Sequence, residues 1–416
     1  MIEGENMNRS HFYLVVLLCL LTVAGKTEEK RNAWCKSISS SNDILKCVLE
    51  SHPDVKVQEA QVKEDEEAVN FARQSPNPEL DLQGVNNNVG GISGELAVLH
   101  TIELGGKRDS RVNVARAQIN GSKSRLLKVQ ETVAVQTVLN IYRLRQIERE
   151  LESVKESLET FQRIRKRYNQ IGRLNPEQQV SVSVFKMAEE DNKLIVNTLI
   201  SERERILSTF KVILGENFNL QKIVLPPIKK SWPKISLDKV RGADSLIALS
   251  SLATAEAESE LAKSAAWPDL SIGPRVEVDT GRAGETKVGI ALSMPLPFYN
   301  TNNGGRAKAK LHVQKSRLNE MWNRRTLERR VRFLLADYNR SSKIVSRSLI
   351  ETNIGSKHVE LHKLIRRGVV SAPLVIEMHR EISEYYKNLH SQELRAIESL
   401  WTLYALRGTI LEENLL

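Results

Sequence analysis

The sequence predicts a mainly α-helical chain with a minor β component, built as two equivalent halves. Three observations carry this. Long stretches have helical and heptad periodicity. Short alternating segments occur in pairs. One order of elements recurs at a separation of roughly 200 residues, too long for a solenoid unit and right for a duplicated half.

In the first half, Asp43 to Gln74 has a helical pattern that stops at Pro76-Asn77-Pro78. Glu79 to Gln83 alternates as a strand does, Asn86-Asn87-Asn88 with Gly90-Gly91 marks a turn, and Glu95 to Leu104 reads as a second strand. Gly105 and Gly106 then open a helical stretch over Lys107 to Asn169. In the second half, Ala243 to Ala266 is helical and stops at Trp267-Pro268. Strands follow from Asp269 to Val278 and from Thr286 to Leu296, and Gly304 and Gly305 open a helix over Arg306 to Arg366. Gly106 matches Gly305, Gly172 matches Gly368 and Gly215 matches Gly408.

The long helices read as coiled coils. Leu144, Ile147, Leu151, Val154, Leu158 and Phe161 are spaced alternately three and four apart, which is a heptad seam. A helix over Lys107 to Asn169 is roughly 95 Å long at 1.5 Å per residue, so it needs antiparallel partners rather than a compact core. The return helices, Pro176 to Leu214 and Ala372 to Leu406, supply part of that length. The helices before the strands supply the rest, laid end to end with them. Residues 171–176 and 367–373 are then hairpin tips, where Gly stops one helix and Pro enters the first turn of the next.

The N-terminus reads as a secretory signal peptide. Met7 to His11 is a mildly basic start, Phe12 to Ala24 is an apolar run too short to span a bilayer, and small residues follow. No later stretch is long and apolar enough for a membrane helix. The organisation expected is a signal peptide at 1–25, an N-terminal segment at 26–42 and a first repeat at 43–215. A Pro-bearing linker at 216–241, a second repeat at 242–408 and a tail at 409–416 follow. Cys35 and Cys47 remain after cleavage; export permits a disulfide between them, and two free thiols are the alternative.

Composition narrows the function classes. Three Cys in 416 residues exclude a disulfide scaffold and a Cys-rich metal cluster. The 61 basic and 51 acidic residues give a net charge of +10 with both signs dense, as on long solvated helices. His358 and His362 stand four apart but lack further ligands nearby and read as a solvated helix face. Gly105-Gly106-Lys107 lacks the upstream Gly and the following Ser or Thr of a P-loop. No nucleophile motif appears, so no enzyme and no cofactor are expected. Four strands cannot close a membrane barrel, which needs about eight, so a barrel requires several copies. The alternative is a small sheet in a soluble secreted coiled-coil scaffold. A basic nucleic-acid-binding coiled coil is a third class, and the signal peptide argues against nucleic acid.

The duplicated helix–strand–strand–helix–tip–helix order resembles the TolC-like outer-membrane efflux factors, over about Asp43 to Gly408. The segments that carry the likeness are Pro78-Glu79-Leu80, Ile102 to Arg108, Pro268 to Ser271, Met294 to Pro297 and Asn303 to Arg306. The Glu103 to Arg108 string resembles the branch serving heavy-metal (cobalt–zinc–cadmium and copper–silver) efflux. The resemblance implies a homotrimer with a twelve-strand barrel in outer-membrane lipid and a twelve-helix periplasmic tunnel. It implies a periplasmic adaptor and a proton-driven inner-membrane pump of the RND type as partners. The location implied is the outer membrane of a Gram-negative-type cell, with most of the chain in the periplasm. Drug or protein export by the same family is the alternative cargo. The tips become candidate gate or adaptor contacts: Arg167, Tyr168, Gly172, Arg173 and Leu174 on the first, Arg366, Arg367, Gly368 and Ser371 on the second. Solvated charges at a helix end are the competing reading of the arginines. Val288, Ile290, Leu292 and Met294 share the strand face expected to meet lipid. Phe298 and Tyr299 stand where an interfacial belt is expected, or pack on the helices.

Overall fold

The computed structural model describes residues 35, 38–87, 91–216, 218–219, 223–229, 231–236, 240–280, 284–351, 360, 363–364 and 370–415. The expectations for the signal peptide, for His358 and His362, and for Arg366, Arg367 and Gly368 lie outside these residues. Seven helices and four strands are described: α1 Ser41–Ser51, α2 Pro53–Ala72, β1 Glu79–Asn87, β2 Gly91–Ile102, α3 Lys107–Asn169, α4 Pro176–Leu214, α5 Ala243–Ser264, β3 Leu270–Asp279, β4 Glu285–Ser293, α6 Asn303–Glu351 and α7 Ala372–Arg407.

The expected single helix before β1 is two. Pro53 has no N–H to continue α1, and His52 turns extended there, its ring nitrogen accepting the Asp54 N–H at 3.2 Å. α1 carries its own capping box, Ser40 with Asp43. Cys35 and Cys47 have Cα atoms 5.5 Å apart and are bonded through sulfur, tying the segment before α1 to that helix. The strands are also displaced from expectation: β2 starts at Gly91 and ends at Ile102, and β4 ends at Ser293, before the Met294-Pro-Leu-Pro run that supplies few backbone donors.

Two rows of helices follow one another along α3 and α6. On the side that leads into the sheet, neighbours run α2, α3, α5, α6; on the other side they run α4, α3, α7, α6. α3 and α6 belong to both rows, so the two shorter helices of each half do lie end to end beside a long one. The main cores sit where the rows meet. Ile44, Val48, Ile141, Leu144, Ile147, Ile206 and Phe210 pack α1, α3 and α4 together. Ala134, Val138, Tyr142, Ile397, Leu400 and Trp401 pack α3 on α7. The heptad seam is buried from Leu144 to Val154 and again at Phe161, while Leu158 is half-buried.

The strands form one antiparallel sheet in the order β1-β2-β3-β4, with β1 and β4 as open edges. The β2–β3 pairing joins the two halves. It is interrupted beside Pro274, which has no N–H to donate.

Candidate functional site

The candidate site is the sheet and the helical wall that continues from it. Register fixes which side chains share a face, because directly opposed residues point the same way. Leu80 and Leu82 oppose Val98 and Leu96. Leu96 opposes Val276 and His100 opposes Ile272. Val276 and Ile272 oppose Val288 and Leu292. One face is therefore apolar across all four strands. It is open to solvent in the single chain, with Val288 and Ile290 at 78% and 77% exposure. The other face carries Asp81, Gln83, Ser93, Glu95, Thr101, Ser271, Arg275, Glu277 and Lys287. There Arg275 pairs with Glu95 at 2.7 Å, and the hydroxyls of Thr101 and Ser271 meet at 3.0 Å. A contiguous exposed apolar face of this kind marks a surface meant to be covered. Phe298 and Tyr299 follow β4 and are exposed rather than packed on the helices.

The strand-to-helix junction explains the Glu103 to Arg108 string. Gly105 and Gly106 are left-handed at φ 72° and 70°. A Cβ on Gly105 would stand 2.5 Å from Cδ1 of Trp267, so this glycine also admits the indole of the second half. Glu103 takes a forked ion pair from Arg111, whose Nη2 lies 2.9 Å from Oε2, and the hydrogen bond from Arg111 holds the Glu103 carboxyl below its usual range. Lys107 reaches Asp269 at 2.6 Å. The string and the Trp267-Pro268-Asp269 stop are thus two sides of one joint. At the second junction Gly304 and Gly305 lie in the first turn of α6, and the left-handed residue is Asn302 at φ 56°. Its side-chain amide donates to the Ala262 carbonyl at 2.8 Å.

At the tips, Arg167, Gly172 and Arg173 are exposed and Leu174 is half-buried. Asn175 caps α4 through a capping box with Gln178. Tyr168 packs into a small cluster with Phe161, Phe185, Val370 and Val375, which brings the first tip against the start of α7. Ser371 occupies the N-cap of α7 with no side-chain capping bond.

Sequence reasoning missed the polar seam between α3 and α7. Arg145 pairs with Glu393, and Gln146 donates to the same carboxylate at 2.8 Å. His390 meets Glu150 at 2.6 Å, and Arg143 bridges Glu150 and Glu202 at 2.8 Å each. Burial works to raise the Glu150 carboxyl, but hydrogen bonds from His390 and Arg143 outweigh it and hold it low. A cavity of about 630 Å³ opens beside this network between α3, α4 and α7. The heptad spacing hid the seam, because Gln146, Glu150, His390 and Glu393 read as solvated positions. Nearer the sheet, buried Glu131 accepts the N–H of Ala243 at 2.9 Å and so caps α5 from α3. Burial pushes its carboxyl up to about 7, against that hydrogen bond.

Residues 44–170 match the family model described as Outer membrane efflux protein. No curated protein sequence matches the chain. Solved structures with the same fold include the Campylobacter jejuni CmeC outer membrane channel, at 14% identity, TM-score 0.70 and coverage of 89% of this chain and 86% of that one. The outer-membrane channel OprN matches at 14% identity and TM-score 0.71, covering 92% and 93%. The open state of the Neisseria gonorrhoeae MtrE outer membrane channel matches at 15% identity and TM-score 0.69, covering 89% of each chain. The chain therefore has the mainly helical, four-strand fold of the TolC-like outer-membrane channels, and its residues 44–170 carry the sequence pattern of the outer membrane efflux protein family.

Proposed function

We propose that the chain is one protomer of an outer-membrane efflux channel, a passive conduit rather than an enzyme. The two-faced sheet carries this reading. An apolar face open to solvent across four strands suits contact with lipid, and the charged face opposite suits a water-filled lumen. The open edges at β1 and β4 require pairing with further copies, and three copies supply twelve strands. The helical wall then prolongs the lumen into the periplasm, where the tips meet an adaptor and receive substrate from a proton-driven RND-type pump. The tip residues Arg167, Tyr168, Gly172, Arg173 and Leu174, with Arg366, Arg367, Gly368 and Ser371, serve adaptor contact and closure. The Cys35–Cys47 disulfide fits the oxidising periplasm.

Heavy-metal cations are the cargo we assign, on the resemblance of the Glu103 to Arg108 string. The test has two parts. The purified oligomer should conduct ions across a planar lipid bilayer and fractionate with the outer membrane; a monomer that stays soluble without detergent would overturn the reading. Deleting the gene should lower the tolerated concentration of zinc, cobalt, cadmium or copper. A loss confined to drugs would keep the channel and replace the cargo.

A further inference from the structure

Among the described residues the apolar sheet face carries one ionisable side chain, His100. It is exposed, its ring makes no hydrogen bond or ion pair there, and it stands two residues from the end of β2. That end is the helix end of the sheet, since Ile102 opposes Leu270 and Ser271 opposes Ser293. From Leu270 to Val278 the face runs about 27 Å along the strand, or about 20 Å at the usual barrel tilt, against roughly 25 Å for the apolar band of an outer-membrane barrel. His100 therefore lies at the rim of the band and not at its middle.

Beyond that rim the chain changes character in two steps. Residues 294–302 carry no charge, and Met294, Leu296, Phe298 and Tyr299 are exposed. α6 then has five Lys and Arg and no Asp or Glu over its first 17 residues, Glu320 being its first acidic residue. Arg306, Lys308 and Lys310 are exposed and make no ion pair among the described residues. They stand about 5 to 11 Å below the start of α6 at 1.5 Å per residue, within side-chain reach of a headgroup layer about 5 to 8 Å deep. On α3, Lys107 is taken up by Asp269 and Asp109 follows Arg108, so the excess positive charge lies on α6.

We propose that this rim holds an anionic phospholipid of the phosphatidylglycerol class, in the leaflet on the helix side of the membrane. The proposal rests on the reading of the apolar face as lipid-facing and adds which lipid it takes and where. Acyl chains lie along the apolar face and Phe298 and Tyr299 stand at the boundary. The His100 ring donates to a phosphate oxygen, and Arg306, Lys308 and Lys310 supply the positive field below it. A zwitterionic lipid brings an ammonium of its own into that field, which disfavours it. Lipopolysaccharide, the phosphate-bearing lipid of the opposite leaflet, would need cations at the turn end of the sheet, where Asp279 and Glu285 oppose each other instead.

The test uses the full chain as its oligomer, reconstituted into lipid nanodiscs of phosphatidylcholine with a minor share of phosphatidylglycerol. Lipid still bound after gentle re-extraction is counted by mass spectrometry. Phosphatidylglycerol should be enriched at least about fivefold over its share, the partition that one cation near an anionic surface provides. Arg306→Gln, Lys308→Gln and Lys310→Gln together should abolish the enrichment. Lys343→Gln with Arg347→Gln, equally exposed but about 55 Å further along α6, should leave it unchanged. His100→Leu should lower the enrichment and keep the total bound lipid. The substituted residues are exposed, so helix content by circular dichroism should hold. Should the triple variant misfold, raised salt decides on the wild-type chain, because screening should remove the enrichment there too. Bound lipid that matches the bulk composition, or an equal loss in the distant variant, overturns the proposal. So does displacement of phosphatidylglycerol by inorganic phosphate, or preferential retention of lipopolysaccharide when it is supplied. A folded oligomer that retains no lipid of any kind sinks the lipid-facing reading itself.

Discussion

Replacing Glu131 by Gln tests whether a buried carboxylate makes the chain's stability pH-dependent. Glu131 is 5% exposed on α3, accepts the first N–H of α5, and sits beside Lys128, Asp244 and Arg330. Burial raises its carboxyl from 4.5 to about 7. The folded state therefore holds the proton more tightly than the unfolded state between those values. Its contribution is fully present below about pH 4.5 and is lost as pH rises through about 7. The span sets a ceiling of about 3 kcal/mol, which screening by the flanking charges and solvent lowers to about 1–2 kcal/mol. Gln keeps an oxygen for the Ala243 N–H and carries no charge at any pH. Thermal unfolding followed by circular dichroism at one scan rate should show the variant near wild type at pH 5. At pH 8 it should be more stable by about 1–4 °C. An equal difference at both pH values would refute the reasoning, because the carboxylate would then not be titrating in that window.

Three further outcomes are expected. Gly105→Ala should destabilise by about 2–4 kcal/mol, from left-handed strain plus the collision with Trp267, and Gly106→Ala by only about 1, since nothing stands within 4 Å of it; denaturant midpoints separate the two. Glu393→Ala should cost about 3–5 kcal/mol because it leaves Arg145 buried without its partner, and Glu393→Gln should recover part of that through Gln146; a loss under about 1 kcal/mol for the alanine variant would contradict a buried pair. Ile290→Arg should sharply reduce the outer-membrane fraction, with a cost of about 2–4 kcal/mol if it lies at the bilayer midplane, while Ala291→Arg, one residue on and facing the other way, should be tolerated; equal effects would deny the sheet its two faces.

Much of the fold was legible because its strongest signals are local. α3 and α4 have the bounds that heptad spacing, Gly and Pro dictate. The break at Pro53 is equally local, but the apolar spacing continues through it and hides it. The faces of the strands could be read from alternation, but not which strands adjoin, since that depends on pairing across 170 residues, as between Thr101 and Ser271. The Glu103 to Arg108 string shows a different limit. Its Glu103, Gly105 and Lys107 are accounted for by Arg111, Trp267 and Asp269, so half of a pattern that resembles a cargo-specific branch is also what this joint needs to close.

The contact between α3 and α7 changes character along its length, and that bears on how the wall can move. Where the helix rows meet, Val138, Tyr142, Leu400 and Trp401 make it apolar and non-directional. Further toward the tips it passes to Arg145, Gln146, Glu150, His390 and Glu393, then to Ser157 with His379 at 3.0 Å, and ends on Phe161 and Val375. Apolar contacts tolerate small sliding, since their energy follows buried area. Buried ion pairs do not, because a shift of an ångström or two strands a charge away from water. The polar stretch therefore fixes the register of α7 on α3 more than it adds stability. Any inward or outward swing of the α7 start must either leave that stretch intact and bend beyond it or break its bonds together. Those bonds share Glu150 and Glu393 as common acceptors. Loss of one partner weakens its neighbours, so breaking one of these bonds favours breaking the rest.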